Sequence, residues 1–212
     1  MPARRKVVAG ALMLLYPLVV HTAVVYDQIA IASISLLVIS VVATVIAFSR
    51  ASEHRGVLVF MFGLLAVLSL LNLITSTRYA LYLMPILINL LMLAVFASSL
   101  WPGREPLITV FHRLTVNRDI DPVLVTYTRR LTWVWAMLFA AMALASAALA
   151  IFSPLAVWSL FTNFLNYLFV LALLVGEYFF RILHFRHYPH PSLLKFLRHL
   201  LQIDWIRATR FS

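Results

Sequence analysis

Long apolar runs alternate with short polar or basic connections along this chain. A helix that crosses the hydrocarbon core of a bilayer needs about 20 predominantly apolar residues. Backbone amides cannot stay unpaired in lipid, so each run of that length predicts a helix. The pattern therefore predicts an all-α, polytopic integral membrane protein with six transmembrane helices, at Val7–Val25, Gln28–Phe48, Val57–Thr75, Ala80–Trp101, Leu131–Phe152 and Trp158–Phe180.

Composition supports a protein whose main solvent is lipid. Of the 212 residues, 64% are hydrophobic and only 11% are charged. Soluble domains are about 45–50% apolar and about 25% charged, and one core of this length could not hide so much apolar surface from water. Cysteine is absent, which excludes disulfides and thiolate chemistry.

Basic residues set the expected orientation. With six spans, all but one of the 17 Lys and Arg residues lie on the same side, and the exception is Arg78. Cytoplasmic loops carry an excess of Lys and Arg, so both termini are predicted to be cytoplasmic. The net charge of +10 then points to anionic lipid headgroups as partners, and not to nucleic acid.

The sequence divides into four parts by this topology. Residues 1–101 hold the first four spans, 102–130 form a cytoplasmic loop, 131–181 hold the last two spans, and 182–212 form a basic cytoplasmic tail. In the loop, Leu107, Val110, Phe111 and Leu114 form one apolar stripe at helical spacing. The stripe predicts a short amphipathic helix lying in the headgroup plane.

Two further signals concern helix boundaries and the tail. Asp121 followed by Pro122 is typical of a helix start, so the fifth helix is predicted to begin in the cytoplasm. The segment "LLKFLRHLLQIDWI" at 193–206 predicts a second interfacial amphipathic helix. His184, His187 and His190 recur at three-residue spacing, but Pro189 interrupts any helix there, and we interpret them as part of a solvated basic tail.

Glu177 is the only carboxylate inside the sixth run. It lies near the predicted cytoplasmic end, and Arg181 follows at i+4, a favourable spacing for an ion pair on a helix. Arg129 and Arg130 are expected at a similar depth on the fifth helix. One interpretation is an ion pair that holds the last two helices together, and the other is a contact with a lipid headgroup or substrate.

Three amides mark a candidate intramembrane polar face, namely Asn89, Asn163 and Asn166. Amides that faced lipid would leave donors unpaired, so they are expected to face other helices. Their side chains either form hydrogen bonds between helices or line a substrate path. We identify no catalytic, cofactor-binding or metal-binding residues, because phosphate-binding glycine loops, nucleophile elbows and zinc motifs are missing from the sequence.

Four segments carry a resemblance to a known family: "REPLITVFHRL", "YTRRLTWVWAMLF", "PLAVWSLFTNFLNY" and "GEYFFR". They resemble an uncharacterised family of bacterial inner-membrane proteins whose genes accompany those of acyl carrier protein, ketosynthase and acyltransferase in aryl-polyene or fatty-acid-like clusters. The resemblance covers about Arg104–Arg181. It implies a shared cytoplasmic-face site, with the matching residues Glu105, Pro106, Phe111, Tyr127, Arg129, Arg130, Trp133, Asn163, Glu177 and Arg181 as candidates.

The resemblance implies a biosynthetic context, and no reaction. The first function hypothesis is therefore a non-enzymatic membrane protein that supports assembly or export of an acyl-carrier-derived, lipid-like product. Acyl carrier protein or soluble biosynthetic enzymes would be its partners. The alternatives are a small transporter or flippase subunit that uses the Asn89/Asn166 face, and a membrane-bound enzyme that modifies acyl chains or lipids.

Overall fold

The computed structural model of the protein describes residues 15–49, 55–75, 79–116 and 121–184, and within them it is helical without a strand. The last helical stretch is continuous from Leu155 to His184 and contains one π turn. The elements are α1 (Leu15–Val25), α2 (Ile29–Ser49), α3 (Arg55–Thr75), α4 (Tyr79–Ser98), α5 (Leu107–Val116), α6 (Pro122–Phe152), α7 (Leu155–Leu160), the π turn Phe161–Leu165 and α8 (Asn166–His184).

Five of these helices are long and apolar enough to cross a membrane, and the protein is a helical multi-pass membrane protein. The five candidate spans are Ile29–Ser49, Leu58–Thr75, Leu81–Ser98, Pro122–Phe152 and Leu155–His184. They confirm the second to sixth predicted runs as helices. Of the first run, only the part from Leu15 is described, and it is helical to Val25. The amphipathic segment at 193–206, together with His187 and His190, lies outside the described residues.

The start of α6 follows the predicted capping pattern. Pro122 is its first helical residue, and the Asp121 Oδ1 accepts a hydrogen bond of 2.9 Å from the Val123 amide. Proline suits this position because its missing N–H would have no partner in the first turn. The helix then runs without a break to Phe152, nine residues longer at its start than the apolar run alone predicts.

The chain forms two compact units, each with its own core. Unit 1 lies within Met1–Leu87 and Ala143–Tyr167. Its core combines side chains from α1, α2, α4 and α7, including Val20, Ala32, Leu36, Leu81 and Trp158. The short connection between α1 and α2 contains Asp27 in the left-handed region (φ 55°).

Unit 2 lies within Ile88–Met142 and Leu168–Ser212. Its core combines side chains from α4, α5 and α6, including Phe96, Leu107, Phe111, Leu131 and Trp135, with Val170 and Leu173 of α8 packed against them. The rings of Phe96, Trp135 and Phe139 lie within 6 Å of one another. These units are defined by packing, whereas the division at 101, 130 and 181 concerns topology and stays a prediction.

Helix α5 exists as predicted, and its apolar stripe packs against protein; its position in the headgroup plane stays a prediction. Leu107, Val110 and Phe111 are buried in the core of unit 2. Polar contacts hold the helix there: the Ser99 hydroxyl oxygen accepts a hydrogen bond of 3.0 Å from the Leu107 amide, and the Thr109 and Thr128 hydroxyls lie 2.7 Å apart. An apolar stripe requires an apolar partner, and here that partner is protein.

Candidate functional site

Glu177 and Arg181 of α8 form the ion pair that their spacing predicts. The Glu177 Oε1 accepts a hydrogen bond of 2.8 Å from Arg181 Nε and a second from Arg181 Nη2. Both side chains are largely shielded, with 5% of the Glu177 side chain and 17% of the Arg181 side chain exposed. The Glu177 carboxylate is therefore held in place by Arg181, and it is more buried than the carboxylate of an ion pair at a protein surface.

The contact that joins this pair to another helix comes from Tyr127 of α6. Its hydroxyl donates a hydrogen bond of 3.4 Å to Glu177 Oε1. Its ring stacks on Phe180 at 5.7 Å between centroids, with an interplanar angle of 7°, and Phe180 stacks in turn on His184 at 4.4 Å. The polar contact from the fifth spanning helix to Glu177 thus comes from Tyr127, and not from Arg129 or Arg130.

Arg129 and Arg130 lie elsewhere. Arg129 Nη2 donates a hydrogen bond of 3.2 Å to the Leu100 carbonyl, and Arg104 Nη1 donates one of 3.5 Å to the Ser98 carbonyl. Both guanidinium groups therefore lie at the C-terminal end of α4, where carbonyl groups carry partial negative charge. Arg130 follows Arg129 on α6 and is exposed. We call Arg104, Arg129 and Arg130 the arginine patch.

Helix α5 adds one ion pair and a histidine. Glu105, just before the helix, pairs with Arg113 at 2.7 Å. His112 is partly buried, and burial lowers the pKa of its imidazole below the ordinary value of 6.5, with the nearby Arg181 guanidinium lowering it further. Both causes disfavour the protonated ring. The neutral form of the imidazole is therefore favoured.

All five residues predicted for the cytoplasmic-face site belong to unit 2: Glu105, Arg129, Arg130, Glu177 and Arg181. Glu105, Glu177 and Arg181 take part in two ion pairs, and Arg129 and Arg130 belong to the separate arginine patch. Of the other residues implied by the resemblance, Pro106 and Phe111 are buried in this unit, whereas Trp133 is 53% exposed and turned outward. Chemically, the unit offers cations for binding anions, with its two buried or half-buried carboxylates engaged by arginines.

The three predicted amides are all buried, and they do not belong to one unit. Asn89 lies on α4 in unit 2, and Asn163 and Asn166 lie on the last helix in unit 1. Asn163 Nδ2 donates hydrogen bonds of 3.0 Å to both the carbonyl and the hydroxyl oxygen of Ser159. The amide nitrogen of Asn163 is therefore satisfied within its own helix.

Sequence reasoning missed several polar contacts in unit 1. His21 of α1 lies 3.1 Å from the Ser159 hydroxyl through its Nδ1, and its ring packs edge-on against Phe164. Tyr82 of α4 packs edge-on against Trp158 at 4.9 Å. The available signal was the density of polar residues in "WSLFTNFLN", within an otherwise apolar run. Among the described residues, no group of three His, Asp or Glu could hold a metal ion.

Comparisons of the chain with known protein families, with curated proteins and with solved structures find no match.

Proposed function

We propose that this protein is a non-enzymatic, six-span bacterial inner-membrane protein with both ends in the cytoplasm. It supports assembly or export of an acyl-carrier-derived, lipid-like product. Its role is to dock a soluble partner with an acidic surface, acyl carrier protein or an enzyme that works with it, on a basic cytoplasmic face. The context comes from the family resemblance, and the docking surface comes from the arginine patch.

The observation that carries this proposal is a contrast between two groups of arginines in unit 2. Some are engaged in ion pairs with glutamates, and the others are exposed and can contact a partner. Arg113 and Arg181 are in ion pairs with Glu105 and Glu177. Arg104, Arg129 and Arg130 are exposed, and the first two are held in place by carbonyl groups at the end of α4. Cations fixed in position at a surface attract an acidic partner and orient it.

The topology of the last three spans is consistent with a single basic face. A chain that crosses a bilayer in alternating directions puts the end of α4, the start of α6 and the end of α8 on the same side. These three ends belong to unit 2, and they carry the arginine patch and Arg181. Trp101, which is 70% exposed beside the patch, is typical of residues at the membrane–water boundary.

Binding of purified acyl carrier protein to the full-length protein in nanodiscs tests the docking role directly. The double variant Arg129→Gln/Arg130→Gln should weaken binding by about tenfold or more, equivalent to about 1.4 kcal/mol. Arg55→Gln is the matched control, because Arg55 is also an exposed arginine but lies in unit 1, above the Phe48 ring. Equal affinities for both variants would contradict the patch as a docking surface.

Mass spectrometry of co-purified material separates the proposal from its alternatives. Acyl carrier protein or a partner enzyme recovered with the membrane protein, and lost at high salt, supports docking, because salt screens exposed charges. A tightly held lipid recovered without any acidic protein would instead favour a transporter or a lipid-modifying enzyme.

A further inference from the structure

The start of the last spanning helix carries an unusual density of buried polar side chains. Five of nine consecutive residues have polar groups and are at least nine-tenths buried: Trp158, Ser159, Thr162, Asn163 and Asn166. We call them the polar strip. It lies within unit 1 and faces α1 through His21 and α4 through Tyr82. Polar groups in a spanning helix are costly unless they have partners, so the partners decide what the strip does.

The π turn Phe161–Leu165 lies in the middle of the strip. A π turn contains one more residue than an α turn, and such insertions are frequent at functional sites. In a regular α-helix each residue advances about 100° around the axis, so Asn166 would lie about 80° away from Trp158. The wider turn rotates Asn166 back towards the side of Trp158. Trp158 and Asn166, the two ends of the strip, thereby lie closer to the same side of the helix.

The central residues of the strip are satisfied. The Thr162 hydroxyl donates a hydrogen bond of 2.9 Å to the Trp158 carbonyl. Asn163 Nδ2 bonds twice to Ser159, and the Ser159 hydroxyl lies 3.1 Å from His21 Nδ1. This central group has a structural role, because it pairs its own polar atoms and connects α7 to α1.

The two ends of the strip differ from its centre. Trp158 Nε1 and Asn166 Oδ1 are buried atoms without a hydrogen-bond partner in the described part of the chain. The indole nitrogen can only donate, and the amide oxygen can only accept. The two residues are eight positions apart, about 12 Å along the helix axis, so a complementary ligand must supply an acceptor near Trp158 and a separate donor near Asn166, as a headgroup with several hydroxyl groups does. The strip carries no formal charge, so an ionised ligand would be disfavoured.

We propose that the polar strip of unit 1 binds the uncharged, hydroxyl-bearing headgroup of a lipid that enters from the bilayer. The bilayer is the source because the strip lies inside a membrane-spanning helix. Trp158 donates to the ligand and Asn166 accepts from it. This site is independent of the arginine patch and of acyl carrier binding, which involve unit 2.

Asn163 and Asn166 make a matched pair for a stability test. They are the same residue type, three positions apart, and each is 8% exposed. Asn163→Leu should lower the melting temperature by about 2–4 °C or more, because it removes two hydrogen bonds. Asn166→Leu should leave the melting temperature unchanged or raise it, because it removes a buried acceptor that has no partner. Equal losses in both variants would make Asn166 a packing residue and overturn the proposal.

A ligand test uses monoolein and methyl oleate as probes, which share an oleoyl ester and differ in their hydroxyl groups. Monoolein should raise the melting temperature of the wild-type protein in nanodiscs by about 2–4 °C more than methyl oleate does. That difference should disappear in Asn166→Leu and in Trp158→Phe, and it should persist in Trp133→Phe, which alters an exposed indole. Equal effects of the two probes on the wild-type protein would contradict the site, leaving ordinary water as the partner of these atoms.

Acyl carrier protein binding distinguishes failure of this proposal from failure of the docking proposal. Asn166→Leu should bind acyl carrier protein with wild-type affinity, since the strip and the arginine patch belong to different units. Loss of monoolein discrimination with normal carrier binding supports the strip as a separate lipid site. Loss of carrier binding in Asn166→Leu would contradict that independence.

Discussion

Tyr127 and Glu177, fifty residues apart in the chain, are joined by a hydrogen bond between the tyrosine hydroxyl and the carboxylate Oε1 at 3.4 Å. This bond links α6 to α8 within unit 2. The same carboxylate oxygen also accepts hydrogen bonds from Arg181. Glu177 is therefore the meeting point of an ion pair within one helix and a contact between two helices.

Tyr127→Phe tests how much the hydroxyl contributes to that link. Because 3.4 Å is long for an O–H···O bond, its loss should lower the free energy of unfolding by only about 0.5–1 kcal/mol. Tyr127→Leu should cost about 0.5–1.5 kcal/mol more, since it also removes the stack on Phe180. Thermal unfolding in detergent compares the two variants. A larger loss for Phe than for Leu would contradict the stacking contribution.

Glu177→Gln should lower the stability of the protein more than the same substitution in an exposed ion pair would. Glutamine keeps an acceptor but removes the charge opposite Arg181, which is only 17% exposed. A buried charge that loses its partner costs about 1–3 kcal/mol, above the 0–1 kcal/mol typical of exposed pairs. Glu177→Lys should cost clearly more, because it places two cations together. Melting temperature and carrier binding should fall together.

A different outcome for Glu177 would change its assignment. If Glu177→Gln kept its melting temperature and yet lost binding or product formation in cells, the carboxylate would be in contact with a ligand. Arg113→Gln is a suitable control, because Arg113 belongs to the other ion pair and its side chain is 59% exposed. Its removal should change stability by less than the Glu177→Gln substitution does.

His112 should make the protein less stable in acid. Its pKa is lowered by burial and by Arg181, so the folded protein holds this proton less tightly than the unfolded chain does. The stability that the neutral His112 contributes is therefore fully present above pH 6.5. It is lost as the pH falls below that value through the pKa of His112 in the folded protein. Between about pH 7.5 and about pH 5.5, the melting temperature of His112→Gln should fall less than that of the wild type. Equal falls would contradict this assignment.

Local patterns account for the features that were predicted from the sequence. The Asp121–Pro122 cap and the Glu177–Arg181 pair depend on residues at most four positions apart, and helix geometry alone fixes such contacts. Apolar runs of membrane-spanning length likewise identified the second to sixth helices. Each of these inferences needs only the periodicity of one helix.

Contacts between distant residues could not be predicted in the same way. The apolar stripe of α5 shows that Phe111 needs an apolar surface, but the hydrophobic effect is non-directional and does not distinguish lipid from protein. Tyr127 offers a hydroxyl with many candidate partners. The π turn at Phe161–Leu165 changes the register of one helix without altering its composition, so the different environments of Asn163 and Asn166 emerge only from the structure.

The burial of α5 can be measured by site-specific labelling, since the chain has no cysteine of its own. A cysteine replacing Phe111 should react slowly with a water-soluble maleimide, because the side chain at this position is 6% exposed in the core of unit 2. A cysteine replacing Arg113, two residues later and exposed, should react quickly. Because Phe111→Cys also removes packing, Val110→Cys provides a second buried position. Fast labelling at both buried positions would contradict the packing of α5.

Orientation in the membrane is the last prediction, and it follows from charge. All but one of the 17 basic residues lie on one side of a six-span arrangement, and such residues favour the cytoplasm. Cytoplasmic reporters should therefore be active at both termini and in the connections Arg50–Arg55 and Pro102–Arg130. A periplasmic reporter should be active at Ser76–Tyr79, where Arg78 is the single exception. Opposite signals from the two termini would reveal an odd number of spans and would contradict the six-span arrangement.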